Sequence, residues 1–245
     1  MNIFFEIHKD IPREGPGDNK FTKRAFSLLK DLPEKPLILD IGCGPGMQTI
    51  ELAKNTEGKI IAIDTHEPFL EVLKGKIMAE NLIGKIDARK GSMFSLEFNK
   101  NTFNLIWSEG AIYIIGFGRG LKEWKEYIKP GGYLVASEIS WLREDIPQEL
   151  KDFWESEYPG IGGIKTNLAI IKKSGYLPVE HFTLPKSGWW NDYYNPLMER
   201  IKILEIRYSE DQEAMAQLEE EKKEIELYRK FSDYYGYVFY LMKKD

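Results

Sequence analysis

Residues 39–46 read Leu39-Asp40-Ile41-Gly42-Cys43-Gly44-Pro45-Gly46. The apolar run from Leu37 enters this stretch like a buried strand, and Thr49-Ile50-Glu51-Leu52-Ala53 leaves it like a helix. A glycine turn in that context lets backbone approach a ligand and presents free N–H groups at a helix N-terminus. Three alternate glycines after an acid exceed what a tight strand-to-helix turn needs. A dinucleotide-binding turn places its last glycine three residues after the second. Here that position is Met47, and the third glycine comes one residue early, at Gly46. Asp40 is a poor neighbour for a pyrophosphate and a good one for a ligand with an amino group and a positive charge. The spacing favours a nucleoside carrying an amino-acid tail, with a nicotinamide or flavin dinucleotide as the second reading.

Outward from the loop, strands and helices alternate. Lys59 to Asp64 is a second buried strand, and Phe69, Leu70, Leu73, Ile77 and Met78 form a helical stripe. Ile86 to Lys90 and Phe103 to Trp107 read as strands three and four. A helix is expected over Gly118 to Lys129, stopped by Pro130-Gly131-Gly132, before strand five at Tyr133 to Ser137. This order implies right-handed crossovers and a mostly parallel sheet. Upstream, Pro12, Gly15, Pro16 and Gly17 predict an irregular segment, with Asp18 or Asn19 capping a helix that carries Phe21, Ala25, Leu28 and Leu29. Past Glu138, helices are expected over 147–154 and 164–173 and a strand over 179–184. A polar helical stretch over about 196–231 and a last strand at Tyr237 to Leu241 follow.

The 245 residues allow one domain or two. Basic residues number 34 and acidic ones 39, a net charge of −5, which argues against affinity built on phosphate neutralisation. Cys43 is the sole cysteine, so neither an intramolecular disulfide nor a cysteine zinc site is expected, and the histidines lie too far apart to suggest a metal. No apolar run reaches the roughly 20 residues of a membrane helix, and the start lacks signal-peptide character. A cytoplasmic protein with a small-molecule substrate, no nucleic-acid partner and no membrane partner is expected. Aromatic residues make up 13% of the chain, and Trp141, Phe153, Trp154, Tyr158, Trp189, Trp190, Tyr193 and Tyr194 crowd into the part after strand five.

Asp40-x-Gly42-x-Gly44-x-Gly46 resembles the first motif of class I S-adenosylmethionine-dependent methyltransferases. Lys129-Pro130-Gly131-Gly132-Tyr133-Leu134 is similar to that family's turn into strand five, and strand-by-strand similarity covers about residues 35–140. The wider pattern resembles a bacterial and archaeal group of small-molecule methyltransferases. The resemblance implies a Rossmann-like α/β fold: a seven-stranded mostly parallel sheet, helices on both faces, an antiparallel last strand and a helical insert before it. It implies S-adenosylmethionine as cofactor and S-adenosylhomocysteine as product. The implied cofactor residues are Asp40, Gly42, Cys43, Gly44, Gly46 and Gln48 at the loop, and Asp64 with Thr65 at the ribose. Ser92 and Met93 would lie at the adenine, where many relatives carry Asp in place of Ser92, and Ser108 and Glu109 at the fourth motif.

Methyl transfer from a sulfonium needs positioning more than a dedicated base. Glu109 is the first candidate base or orienting group, and Tyr113 the second. The fourth motif reads Ser108-Glu109-Gly110-Ala111, unlike the Pro-Pro motif of adenine and amide methyltransferases. Cys43 sits in the cofactor loop and not where a cytosine-attacking cysteine would be. Trp189, Trp190, Tyr193 and Tyr194 would close an acceptor pocket for a flat or cationic molecule, or else pack the insert or a homodimer contact. Arg13 to Asp18 would form a lid. The expected organisation is one structural domain: residues 1–34 a lid segment and helix, 35–140 the cofactor-binding core, and 141–245 the rest of the sheet, with residues of about 186–232 as an acceptor cap. An NAD-type oxidoreductase and a non-catalytic binding or scaffold protein are the alternatives.

Overall fold

β1 (Leu37–Ile41) is buried along almost its whole length because parallel neighbours and helices cover both of its faces. In the computed structural model, which describes residues 3–9 and 11–245, β1 lies between β2 (Lys59–Asp64) and β4 (Phe103–Glu109). The path continues through β3 (Ile86–Lys90) on one side and β5 (Ile128–Trp141) on the other. β6 (Gly162–Gly163) adds only a two-residue parallel bridge beside Ser140 and Trp141. β7 (Tyr176–Thr183) and β8 (Tyr235–Lys244) complete the order β3-β2-β1-β4-β5-β8-β7. β8 runs antiparallel to both of its neighbours. The expected sheet of seven strands with an antiparallel last strand is present.

Period-two alternation splits the core in two. Ile38, Leu105, Trp107 and Val135 face one layer, which includes α2 (Asn19–Ser27), α3 (Met47–Lys54) and α4 (Glu67–Ala79). Leu39, Ile41, Ile106 and Leu134 face the other, under α5 (Phe117–Trp124) and α7 (Ile164–Lys173). The strand order reverses at β1, so the crevice beyond the carboxyl ends of β1 and β4 is where a ligand would enter.

The structure departs from the expected elements at three places. Ile3–Ile7 forms a short helix, α1, inside the segment expected to be irregular. α5 ends at Trp124, a 3₁₀ turn covers Lys125–Tyr127, and β5 already begins at Ile128. Fully buried Ile128 pairs with fully buried Phe103 there, and this pairing outweighs the local helical pattern. The expected helix over 196–231 starts earlier and divides. Ser187–Trp189 (α8), a π-helical Trp190–Tyr194 and α9 (Asn195–Arg207) run on without a break. α10 (Gln212–Phe231) begins afresh, where Asp211 accepts the N–H groups of Glu213 and Ala214 at 3.1 and 3.0 Å. α6 (Gln148–Glu157) packs beside this insert. No helix among the described residues is long and apolar enough to cross a membrane.

The aromatic surplus is in the core of the insert. Trp189 stacks on Tyr228 with centroids 4.0 Å apart and also contacts Tyr194, Tyr235 and Tyr237. Trp189, Tyr193 and Tyr194 are buried, and Arg229 covers Trp190 at 4.8 Å. Trp189→Ala is expected to cost about 3–5 kcal/mol of stability in urea denaturation, as deletion of a buried ring does. A loss below about 1 kcal/mol would show that this ring is not part of the core.

Candidate active site

Gly42, Gly44 and Gly46 all take left-handed backbone, with φ of 71°, 51° and 83°. The missing side chains do different things. A Cβ on Gly42 would lie 2.5 Å from Ala111 Cβ, and one on Gly46 would lie 2.3 Å from Leu73 Cδ1. Those two glycines let the loop dock on the β4 turn and on α4. Gly44 instead faces the N-terminal segment, where Glu14 Cγ would be 3.4 Å away. The loop is fastened to the end of β2. The N–H groups of Gly42 and Cys43 donate to Ile63 O at 2.9 and 3.0 Å, and that of Gly44 donates to Asp64 Oδ2 at 3.0 Å. The Gln48 amide donates to Cys43 O at 3.0 Å and holds the loop from within.

A cavity of about 260 Å³ opens beside this loop. Of the residues expected from sequence, Gly42, Cys43, Gly44, Gln48, Asp64, Thr65, Ser92, Met93, Glu109 and Tyr113 line it. Asp40, Gly46 and Ser108 do not. Asp40 is fully buried beneath the loop, where its Oδ2 accepts the Thr49 hydroxyl at 2.6 Å. Ser108, also fully buried, donates to Ile41 O at 3.1 Å and ties β4 to β1. Trp189, Trp190, Tyr193 and Tyr194 are absent from the cavity wall, for the packing reason already given.

The N-terminal segment does reach the cavity, which Arg13, Glu14, Gly15 and Pro16 line. Its anchor is Glu109. That carboxylate accepts the Thr22 hydroxyl at 2.7 Å, the Trp107 indole N–H at 2.9 Å and, more distantly, Arg13 at 3.4 Å. Burial raises the Glu109 pKa, opposed by Arg13, Thr22 and Trp107. A carboxylate so fully engaged holds the segment in place and has little freedom to act as a mobile base. Arg13 also donates to Asn19 at 2.7 Å, and its Nε is buried without a partner. Gly17 makes room for this guanidinium, since a Cβ there would come within 2.6 Å of it. Sequence reasoning missed Phe5, His66 and Phe69. Phe5 stacks on His66 at 3.7 Å, and Phe69 meets His66 edge-on at 4.4 Å, along the outer wall of the cavity.

Acids dominate the charge of the site. Burial pushes Asp40 up to about 7, with the charges of Glu109 and Asp64 adding to it and the hydroxyl of Thr49 opposing. Burial and then Asp64 push Glu14 up to about 8, against the pull of Lys76. Asp40 Oδ1 has no hydrogen-bond partner. Among the described residues Asp64 accepts only the N–H groups of Gly44 and His66, which leaves acceptor capacity on both oxygens.

The methyltransferase-domain family model matches residues 38–132. A demethylmenaquinone methyltransferase of Lactiplantibacillus plantarum is 32% identical over 128 residues, covering 48% of this chain and 50% of that protein. The ubiquinone/menaquinone biosynthesis C-methyltransferase UbiE of Geotalea daltonii is 30% identical over 165 residues, covering 66% of this chain and 68% of that protein. The chain belongs to the class I S-adenosylmethionine-dependent methyltransferases. It spans about half the length of several of the curated relatives it matches. An S-adenosylmethionine-dependent methyltransferase from Thiobacillus denitrificans, solved with S-adenosylhomocysteine, superposes with a TM-score of 0.84 at 19% identity, covering 100% of this chain and 99% of that one. That likeness speaks for the methyltransferase fold.

The raised acids set a sign for stability against pH. Asp40 holds its proton up to about pH 7 when folded but only to about pH 4 when unfolded. Between those values the folded state binds more protons, so stability falls as pH rises. Glu14, pushed up to about 8, acts in the same direction. The melting temperature of the ligand-free protein is expected to drop by several degrees from pH 5 to pH 8, and Asp40→Asn should flatten part of that drop. A wild-type melting temperature that rises across this range would contradict the assignment.

Proposed function

We propose that this chain transfers the methyl group of S-adenosylmethionine to a small-molecule acceptor. The observation that carries the reading is the Asp64 carboxylate, held on a loop of left-handed glycines with acceptor capacity to spare and with Glu14 facing Gly44. A cofactor with an ammonium and a sulfonium suits such a site. A pyrophosphate would meet like charge, which speaks against a dinucleotide.

When bound, the cofactor supplies an already activated methyl group. The chain's own residues bind and orient. Asp64 has lone pairs left for ribose hydroxyls, and Glu14, on the cavity wall, becomes a carboxylate partner for the amino-acid end once an arriving ammonium displaces its proton. Arg13 is the available partner for a ligand carboxylate. Ser92 and Met93 flank the position expected for the base, with Met93 fixed by the Trp124 indole, which donates to Met93 O at 3.1 Å. Glu109 acts as a positioning residue that keeps the segment around Arg13 over the cavity and excludes water. Tyr113, at the Gly110–Ile114 end, borders the acceptor side.

The acceptor side belongs to this chain more than to the family pattern. The family match ends at residue 132, before the end of β5 and the whole insert. The quinone-related names of the curated relatives therefore support small-molecule methylation and leave the acceptor open.

Titration calorimetry with S-adenosylmethionine, S-adenosylhomocysteine and NAD tests the reading. Both adenosyl ligands are expected to bind and NAD is not. NAD binding without the others would overturn it. Asp64→Ala is expected to weaken S-adenosylhomocysteine binding by more than about tenfold, or ~1.4 kcal/mol. An unchanged affinity would remove the ribose role.

A further inference from the structure

A second group of acids, which the cofactor cavity does not use, lies on β5 and α10. Glu138 on β5 is 1% exposed. Its Oε1 accepts the Tyr158 hydroxyl at 2.7 Å, while its Oε2 is buried without a hydrogen-bond partner. Glu224 on α10 accepts the Tyr194 hydroxyl at 2.8 Å, and Glu221 lies one turn earlier. Glu221 and Glu224 also line, with Glu157, an open groove between α6 and α10. Among the described residues no cation pairs with Glu138, Glu221 or Glu224. Lys222 is paired with Glu205 and Glu219, Arg229 with Glu226 and Lys230 with Glu149, and Lys223 is exposed. Burial accordingly pushes Glu138 up to about 8, and burial followed by the charge of Glu224 does the same for Glu221.

Tyrosines connect these acids to the cofactor cavity. Tyr113 lines the cavity, meets Tyr158 edge-on at 5.9 Å, and has the carboxylates of Glu224, Glu138 and Glu221 acting on its hydroxyl. The Tyr237 hydroxyl approaches Gly110 on the cavity wall and is influenced by Tyr113, Glu138 and Glu224. Glu138 is thus linked to the cavity through Tyr158 and Tyr113, while Glu224 lies on the wall of the groove.

We propose that Glu138 and Glu224, with Tyr113, Tyr158 and Tyr237 around them, form the acceptor subsite, that the acceptor is an amine, and that it enters by the groove between α6 and α10. The inference rests on the methyltransferase reading and names its substrate class. A buried carboxylate without a counter-ion is unfavourable, and a ligand ammonium supplies the missing cation. Tyrosine faces add attraction for the same charge. A neutral alcohol gains no such partner, and a carboxylate ligand is repelled. For transfer, the bound ammonium gives one proton to the Glu138 carboxylate. The nitrogen lone pair then forms the N–C bond, the electron pair of the broken C–S bond stays on sulfur, and the positive charge moves from sulfur to nitrogen.

The test uses the full chain loaded with S-adenosylhomocysteine. Calorimetry compares benzylamine and 2-phenylethylamine with their alcohol isosteres and with benzoate, on the wild type and on Glu138→Gln and Glu224→Gln. At least one amine is expected to bind ten or more times tighter than its alcohol, and benzoate more weakly than either. Each substitution should reduce that preference severalfold while leaving S-adenosylhomocysteine affinity unchanged, which also reports that the variants fold. No preference for amines in the wild type, or a preference that survives both substitutions, overturns the proposal. Failure of the wild type to bind S-adenosylhomocysteine would instead remove the methyltransferase reading, and the acceptor assignment with it.

Discussion

The buried carboxylate of Glu109 ties together three parts of the chain at the mouth of the cavity. It stands at the end of β4, the strand beside the topological switch, and receives donors from α2, from β4 itself and from the segment before α2. Without those donors a buried acid at this depth would be costly, so the N-terminal segment and the sheet each make the other's conformation favourable. The consequence is a covered cavity. Arg13 lies under Gly17, Glu14 lies over Gly44, and the loop is fastened from the other side by the Ile63 carbonyl.

Charge organises the molecule more strongly than its net value suggests. Both the cofactor cavity and the cluster on β5 and α10 are rich in carboxylates and poor in cations, whereas much of the surface consists of ordinary exposed ion pairs such as Lys74–Glu71 and Arg119–Glu123. Exposed pairs of that kind contribute little to stability. The enclosed acids lower stability in the ligand-free protein and become favourable when a cation arrives, a common exchange of stability for binding.

The sheet was legible because buried parallel strands need runs of apolar residues, and β1, β2 and β4 fall where those runs lie. The glycine loop was legible for the same kind of reason: left-handed backbone leaves few alternatives to glycine. What was illegible depends on distant partners. Ile128 reads as helical until Phe103 is placed beside it, and the lid reading of Arg13 to Asp18 did not name Glu109 as its anchor. Phe5 and His66 carry no local signal of their stacking. The aromatic insert was placed correctly in sequence, but clustering along a chain says nothing about which face of a helix a ring occupies, and Trp189 turned inward to Tyr228.

The position of β8 has a consequence for how the molecule is made. β8 is an interior strand, hydrogen-bonded on one side to β5 and on the other to β7, although it follows both along the chain. As the polypeptide emerges from the ribosome, β1 to β5 can associate in their final arrangement. β7 cannot join them, because its neighbour in the sheet is still to come. Until then the open flank of β5 is an unprotected template for foreign strands, and the insert's aromatic rings have no sheet to cover. Synthesis of this protein therefore passes through a stage at which its aromatic insert is complete but unsheltered, and the arrival of β8 ends that stage for the sheet and the insert together.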